Sequence, residues 1–156
     1  MAKKSLSARI LAFAVCLLVV YFIAFLGSVF TSKNVNSAWY ESIRPSITPP
    51  NWVFPVVWNI LFFLIALSLY YAWSAKKERL KIAIVFSINF IFNVLWSYLY
   101  FGIQSPSLAF YDIILVWLSI GLMIVTLWKI SRISSYLLIP YFLWVSFASV
   151  LNYLSI

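Results

Sequence analysis

The side chains in this chain with the means to do chemistry are indoles and amides. Eight tryptophans stand among 156 residues, and histidine is absent. Without an imidazole there is no Ser-His-Asp triad, no imidazole general base, no His-based metal site and no haem on a proximal histidine. Glu41, Glu78 and Asp112 are the only carboxylates, so hydrolase chemistry has almost nothing to work with. What the spacing does offer is stripes. Asn89, Asn93, Trp96 and Tyr100 recur at i, i+4, i+7 and i+11, which is one face of a helix. Tyr141, Trp144, Ala148 and Asn152 form a second such face, and Trp58, Asn59 and Phe62 a shorter third. Amide stripes serve as interhelical hydrogen-bond glue, at about 1 kcal/mol or less per contact. Amides mixed with large aromatics and the small Ala148 also line concave, mostly apolar binding sites. The residues by themselves admit both readings.

The elements that must carry these stripes are membrane helices. A chain 65% hydrophobic and 9% charged has too little polar surface to cover a soluble globule. Five nearly uncharged runs each reach the roughly 20 helical residues that a hydrocarbon core requires. They are about Ile10 to Phe30, Trp52 to Ala75, Ile82 to Ile103, Leu108 to Trp128 and Ile133 to Leu154. The first exceeds a signal-peptide core in length and has no small-x-small cleavage site, so it counts as a helix. No window alternates strictly, which argues against a barrel. The expected fold is all-α: one domain over residues 1–156, a polytopic membrane protein with a five-transmembrane-helix bundle. Cys16 is the lone cysteine and forms no intramolecular disulfide.

Between the first two runs, Trp39 to Asn59 packs Pro45, Pro49, Pro50 and Pro55 with Trp39, Trp52 and Trp58 into 21 residues. A helix cannot pass through Pro45 to Pro50. The segment is therefore a folded loop, read either as an interhelical linker with interfacial aromatics or as a lid over a cavity. Asn51 is placed to cap the next helix, with Pro55 tolerated near its first turn. The charged turns Lys76 to Lys81 and Lys129 to Arg132 are tight, which makes helices two and three, and four and five, antiparallel neighbours. Trp39, Trp52, Trp73 and Trp128 fall at membrane boundaries, as an aromatic belt does. Trp58, Trp96, Trp117 and Trp144 lie deeper, and their N–H groups need partners inside the bundle or a cavity.

Charge sets the orientation. Lys3, Lys4, Arg9, Lys76, Lys77, Arg79, Lys81, Lys129 and Arg132 share one side if the helices alternate, against Lys33 and Arg44 on the other. By the positive-inside rule the amino terminus is cytoplasmic, and the first loop and carboxyl terminus are external. The net charge of +8 thus reports topology and gives no reason to expect nucleic acid as a partner. Asp112 is the one ionisable group inside a span, where function and structural hydrogen bonding are equally open readings. Pro140 must kink the last helix. Ala24 and Ser28 form a weak small-xxx-small signal for helix pairing.

Taken together, WY with a following proline and TPP (Trp39, Tyr40, Pro45, Thr48 to Pro50), WVFPVVW (Trp52 to Trp58), NVLWSYLYFG (Asn93 to Gly102), AFYD (Ala109 to Asp112) and LLIPYFLWVSFASVLN (Leu137 to Asn152) form a pattern. It resembles the TspO/MBR family, the tryptophan-rich sensory proteins that include the translocator protein or peripheral-type benzodiazepine receptor. The resemblance runs over about residues 10 to 154. It implies a five-helix bundle, often a homodimer, in a prokaryotic cell membrane here, whose pocket opens toward the first loop. It also implies binding of porphyrins such as protoporphyrin IX and haem, of benzodiazepine-type and isoquinoline ligands and, in animals, of cholesterol.

Carried over residue by residue, the ligand-facing candidates are Tyr40, Trp58, Phe62, Asn93, Trp96, Trp144 and Ala148, with Asp112 a lesser member. The resemblance thus favours a receptor or carrier holding porphyrin as a ligand, with no cofactor required and no metal, and with Arg44 available to propionates. The alternative from the enzyme class is light-dependent porphyrin oxidation, with Trp58 and Trp144 as its catalytic residues. A regulator that docks partner proteins is the third. Three features depart from the family pattern. The stretch between Trp39 and Pro45 is one residue short, and Ile47 stands where an aromatic is common. The third is that Tyr153 is followed by no Lys or Arg, so the cholesterol-type pattern fails.

Overall fold

A computed structural model describes residues 6–156, so Lys3 and Lys4, part of the expected cytoplasmic charge, lie outside the described residues. The described chain is helical with no strands. Its elements are α1 (Leu6–Asn34), α2 (Ala38–Ile43), α3 (Val53–Ser74), α4 (Arg79–Ser97), α5 (Pro106–Trp128), α6 (Arg132–Leu137) and α7 (Ile139–Tyr153). Five spans are long and apolar enough to cross a membrane, the last being α6 and α7 together. Their outward faces stay apolar: Leu18 is 72% exposed, Ile91 64%, Val125 64% and Leu143 63%. Such surfaces are stable only against lipid, and the backbone between them is satisfied within each helix. The protein is a multi-pass membrane protein.

Buried apolar residues from α1, α3, α4, α5 and α7 form one core that includes Val20, Ile65, Phe86, Ile120, Met123 and Val145. α5 runs through its middle, packing on α4, α6 and α7, while α3 packs chiefly on α1 and α6. The tight turn after α3 does return the chain, through left-handed Lys76 and Glu78 at φ 57° and 51°. Yet α3 and α4 touch only lightly. The expectation that a short turn makes its two helices close neighbours holds for the pair α5 and α6–α7 and is corrected for α3 and α4, which splay apart.

The long loop has structure of its own. Ser37 caps α2, its Oγ accepting from the Tyr40 N–H at 3.2 Å. Asn51, by contrast, does not cap α3: the cap position is Trp52, without a side-chain bond. The Asn51 amide instead donates to Asn36 Oδ1 at 3.0 Å, tying the end of the loop to its beginning. At Pro140 the last span breaks outright, with Leu138 between α6 and α7 and the proline in the first turn of α7, where its missing N–H is harmless.

α4 ends in a π-helical turn, Tyr98–Gly102, with the Ile103 N–H donating to the Tyr98 carbonyl at 2.9 Å. The wider turn carries Tyr100 and Phe101 inward together, 4% and 6% exposed. Gly102 is required by close approach, since a Cβ there would stand 2.9 Å from Tyr98 Cδ2 and 3.3 Å from Phe30 Cδ1. Gly102→Ala is expected to destabilise by about 1–2 kcal/mol, as modest overpacking does. The Tyr98→Ala background should remove most of that penalty in a denaturation series.

Candidate ligand-binding cavity

Where α3 and α4 splay, a cavity of about 720 Å³ opens, walled by α1, the loop, α3, α4 and α7. That volume lies within the roughly 300–1,000 Å³ range of small-molecule sites. Its walls are rich in aromatic side chains. On α3, Trp58 stacks on Phe62 at 5.3 Å between ring centroids with 29° between planes. At the end of α4, Trp96 stacks on Tyr100 of the π-helical turn at 5.1 Å and 26°. The loop closes the top: Tyr40 packs at 5.6 Å from Phe101 and Trp39 at 6.0 Å from Tyr100. Trp39, which reads as a belt residue in the sequence, is part of this lid contact.

The amide stripes do both jobs that the sequence leaves open. Asn89 is glue: its amide donates to Ser119 Oγ at 2.8 Å, and its Oδ1 accepts from Tyr141 at 3.3 Å. Tyr141 in turn accepts from Asn93 Nδ2 at 3.0 Å. At the far end of the stripe, Trp96 Nε1 donates to Asn152 Oδ1 at 2.9 Å, and Asn152 donates to the Pro106 carbonyl at 2.9 Å. Asn93, Trp96 and Asn152 also line the cavity. Spans α4, α5 and α7 are thus locked together by the groups that face the hollow.

The four deep indoles divide in two. Trp96 has Asn152, and Trp117 Nε1 donates to Ser146 Oγ at 2.8 Å. Trp144 Nε1 is buried without a partner among the described residues. Trp58 likewise makes no hydrogen bond there, so of the three deep indoles that border open space, Trp58 and Trp144 keep an unspent donor and Trp96 does not. Trp58 fronts the main cavity. Trp144 fronts a recess of about 40 Å³ behind it, which shares Phe54, Trp58, Asn93, Trp96 and Ala148 with the cavity wall.

Of the residues singled out in the sequence, Tyr40, Trp58, Phe62, Asn93, Trp96 and Ala148 meet in the main cavity, and Trp144 joins through the recess. Asp112 does not. It lies on the buried face of α5, 4% exposed, and lines neither space. Arg44 is also absent from the wall. It pairs with Glu41 at 3.3 Å and donates to the Pro49 carbonyl at 3.0 Å, so the guanidinium staples the lid and is not presented to a ligand. The wall from α1, with Tyr21, Ala24, Ser28 and Thr31, has no counterpart among the sequence candidates. Its signal was the spacing i, i+3, i+7, i+10 of small and polar residues, of which Ala24 and Ser28 read only as a pairing motif.

Fold and cavity together define a polytopic helical membrane protein with an aromatic-rich, lidded, intrabundle cavity. The TspO/MBR family model matches residues 14–155, and the chain belongs to that family. It is 39% identical over 148 residues to the tryptophan-rich protein TspO of Chlorobaculum tepidum, covering 93% of this chain and 94% of that one. It is also 39% identical over 147 residues to the tryptophan-rich protein TspO of Archaeoglobus fulgidus, covering 93% and 95%. Similarity extends to the human translocator protein, at 28% over 134 residues, 83% of this chain and 79% of that one.

Proposed function

We propose that this protein is a membrane receptor or carrier for flat aromatic ligands of the porphyrin class, such as protoporphyrin IX or haem. The observation that carries the reading is the presence of two stacked aromatic pairs, Trp58 with Phe62 and Trp96 with Tyr100, on separate helices around one cavity. A planar ligand between them gains apolar burial and ring contact. The unspent Trp58 N–H and the Asn93 carbonyl oxygen supply a donor and an acceptor to fix its orientation. Benzodiazepine-type ligands offer smaller apolar aromatic rings to the same walls and belong to the same reading. The basic residues flanking α3–α4 and α5–α6 support a cytoplasmic amino terminus, in a prokaryotic cell membrane, with the lid external. Assembly as a homodimer follows from the family resemblance.

Protoporphyrin IX added to the purified protein should quench tryptophan fluorescence saturably. Trp58→Ala should weaken binding by about tenfold or more, the equivalent of about 1.4 kcal/mol. Unchanged affinity in a folded Trp58→Ala variant would remove the site.

A further inference from the structure

We propose that the lid end of the cavity is a carboxylate subsite, built from Ser32, Asn36 and Tyr40 with Lys33 at its rim, and that it holds a porphyrin with its acidic edge toward the lid. This rests on the reading above, since it sets how the same ligand sits in the same cavity. The cavity opens beside the lid through a cleft along α1. Tyr21, Phe25, Ser28, Ser32, Asn36 and Trp52 line it and are exposed as well. Tyr21 lies at the middle of the α1 span, and Ser32 stands about 16 Å further along the helix. The character of the cleft changes over that distance. Its lower part is aromatic, with Tyr21 and Phe25, and its upper part is polar, with Ser28, Ser32 and Asn36.

Some of the donors on this wall are spent. Ser28 Oγ donates to the Phe25 carbonyl at 2.8 Å and Thr31 Oγ1 to the Gly27 carbonyl at 3.3 Å. Others are not. Asn36 accepts from Asn51 through its Oδ1 at 3.0 Å, which leaves its own amide N–H groups free. The Ser32 hydroxyl has no partner among the described residues, and neither has that of Tyr40, a residue 6% exposed that lines the cavity at this same end.

Charge points the same way. On the lid side of the bundle the chain places only Lys33 and Arg44. Arg44 is engaged by Glu41 and the Pro49 carbonyl. Lys33 directly follows Ser32, is exposed and forms no ion pair among the described residues. Neutral donors beside a free ammonium and open water suit the oxygens of an anion, which take charge-assisted hydrogen bonds there and keep part of their hydration. The depth of the cavity offers the reverse. At Trp58 and Phe62 a carboxylate would give up its water for one indole N–H, and the wall holds no Lys or Arg to offset that loss. Protoporphyrin IX carries both acids on one edge of its ring, so a single orientation suits both ends of the cavity.

The test uses the full chain in neutral phosphatidylcholine vesicles and reads tryptophan quenching by two probes, protoporphyrin IX and etioporphyrin, the same ring with alkyl groups only. Ser32→Asp should weaken protoporphyrin IX binding about tenfold and Lys33→Glu about fivefold, since each sets a negative charge against the acidic edge. Ser32→Lys should act in the opposite sense and tighten it about threefold. Both positions are exposed, so all three variants should bind etioporphyrin within about twofold of wild type. Protoporphyrin IX held at wild-type affinity by Ser32→Asp or Lys33→Glu, or an equal loss of etioporphyrin, would overturn the subsite. Wild-type protein that neither probe quenches saturably would instead sink the porphyrin-class reading, and this inference with it.

Discussion

Asn89→Ala is expected to destabilise the bundle by about 2–4 kcal/mol, a large effect for one polar side chain in a membrane protein. The side chain is 1% exposed and is the junction of three helices, α4 through itself, α5 through Ser119 and α7 through Tyr141. Single interhelical hydrogen bonds in bilayers average about 0.6 kcal/mol and reach about 1.7. Two are lost here, and the truncation leaves a small void in a close-packed region, which adds about 1 kcal/mol. Tyr141→Phe keeps the ring and removes the hydroxyl that Asn93 and Asn89 share, so about 1–2 kcal/mol is expected. The pair should be non-additive in a double-mutant cycle, because each variant breaks the same bond. Reversible unfolding in mixed detergent micelles measures both, and an Asn89→Ala change under about 0.5 kcal/mol would show that the network holds nothing together. Function is linked to this through Asn93. Its amide is held by Tyr141, which leaves its carbonyl oxygen for the cavity.

The spans were legible because length and apolarity alone decide them, and the structure moves their ends by only a few residues. The faces were legible too, since Asn89, Asn93 and Trp96 do share one side of α4 and the π-helical turn carries Tyr100 inward after them. What periodicity could not decide was what each face meets. A residue turned toward a neighbouring helix and one turned toward a hollow have the same spacing, and on this stripe Asn89 is the first while Asn93 is both. Asp112 shows the same limit: its chemistry stands out in the sequence, but direction is a tertiary property, and α5 turns it away from the cavity. The α1 wall escaped because Ala24, Ser28 and Thr31 are unremarkable in any membrane helix. The packing of α3 was misread for a different reason. A short turn fixes that two helices are joined, whereas contact depends on the side chains between them, and here a cavity fronted by Trp58 and Trp96 lies between α3 and α4. α2 was hidden by its length, six residues that no periodicity test resolves.

Tyr40→Ala should detach the lid without unfolding the bundle. A six-residue helix has no stability of its own in water, so α2 stands only by what it packs on. Tyr40 is its anchor, 6% exposed, with its ring 5.6 Å from Phe101 and 6.5 Å from Tyr100. Truncating a buried aromatic to alanine costs about 3–5 kcal/mol, and here most of it falls on lid docking. Amide exchange across residues 38–43 should accelerate by about 10²–10³-fold, while amides of α5 keep their protection. Tyr40→Phe should leave exchange nearly unchanged at neutral pH, since the phenol has no hydrogen-bond partner among the described residues. The two variants part company in alkali. Burial pushes the Tyr40 phenol above its ordinary value of 10.0, with the Arg44 guanidinium pulling it back and Glu41 adding to the rise. A group whose folded pKa is raised contributes stability that is complete below the unfolded value, near 10, and lost as pH rises through the folded one. Wild-type thermal stability should therefore fall relative to Tyr40→Phe from about pH 10 upward, and converge with it below. If the difference between them is flat across that window, the phenol is not buried in the lid contact, and the cavity has no roof of the kind described.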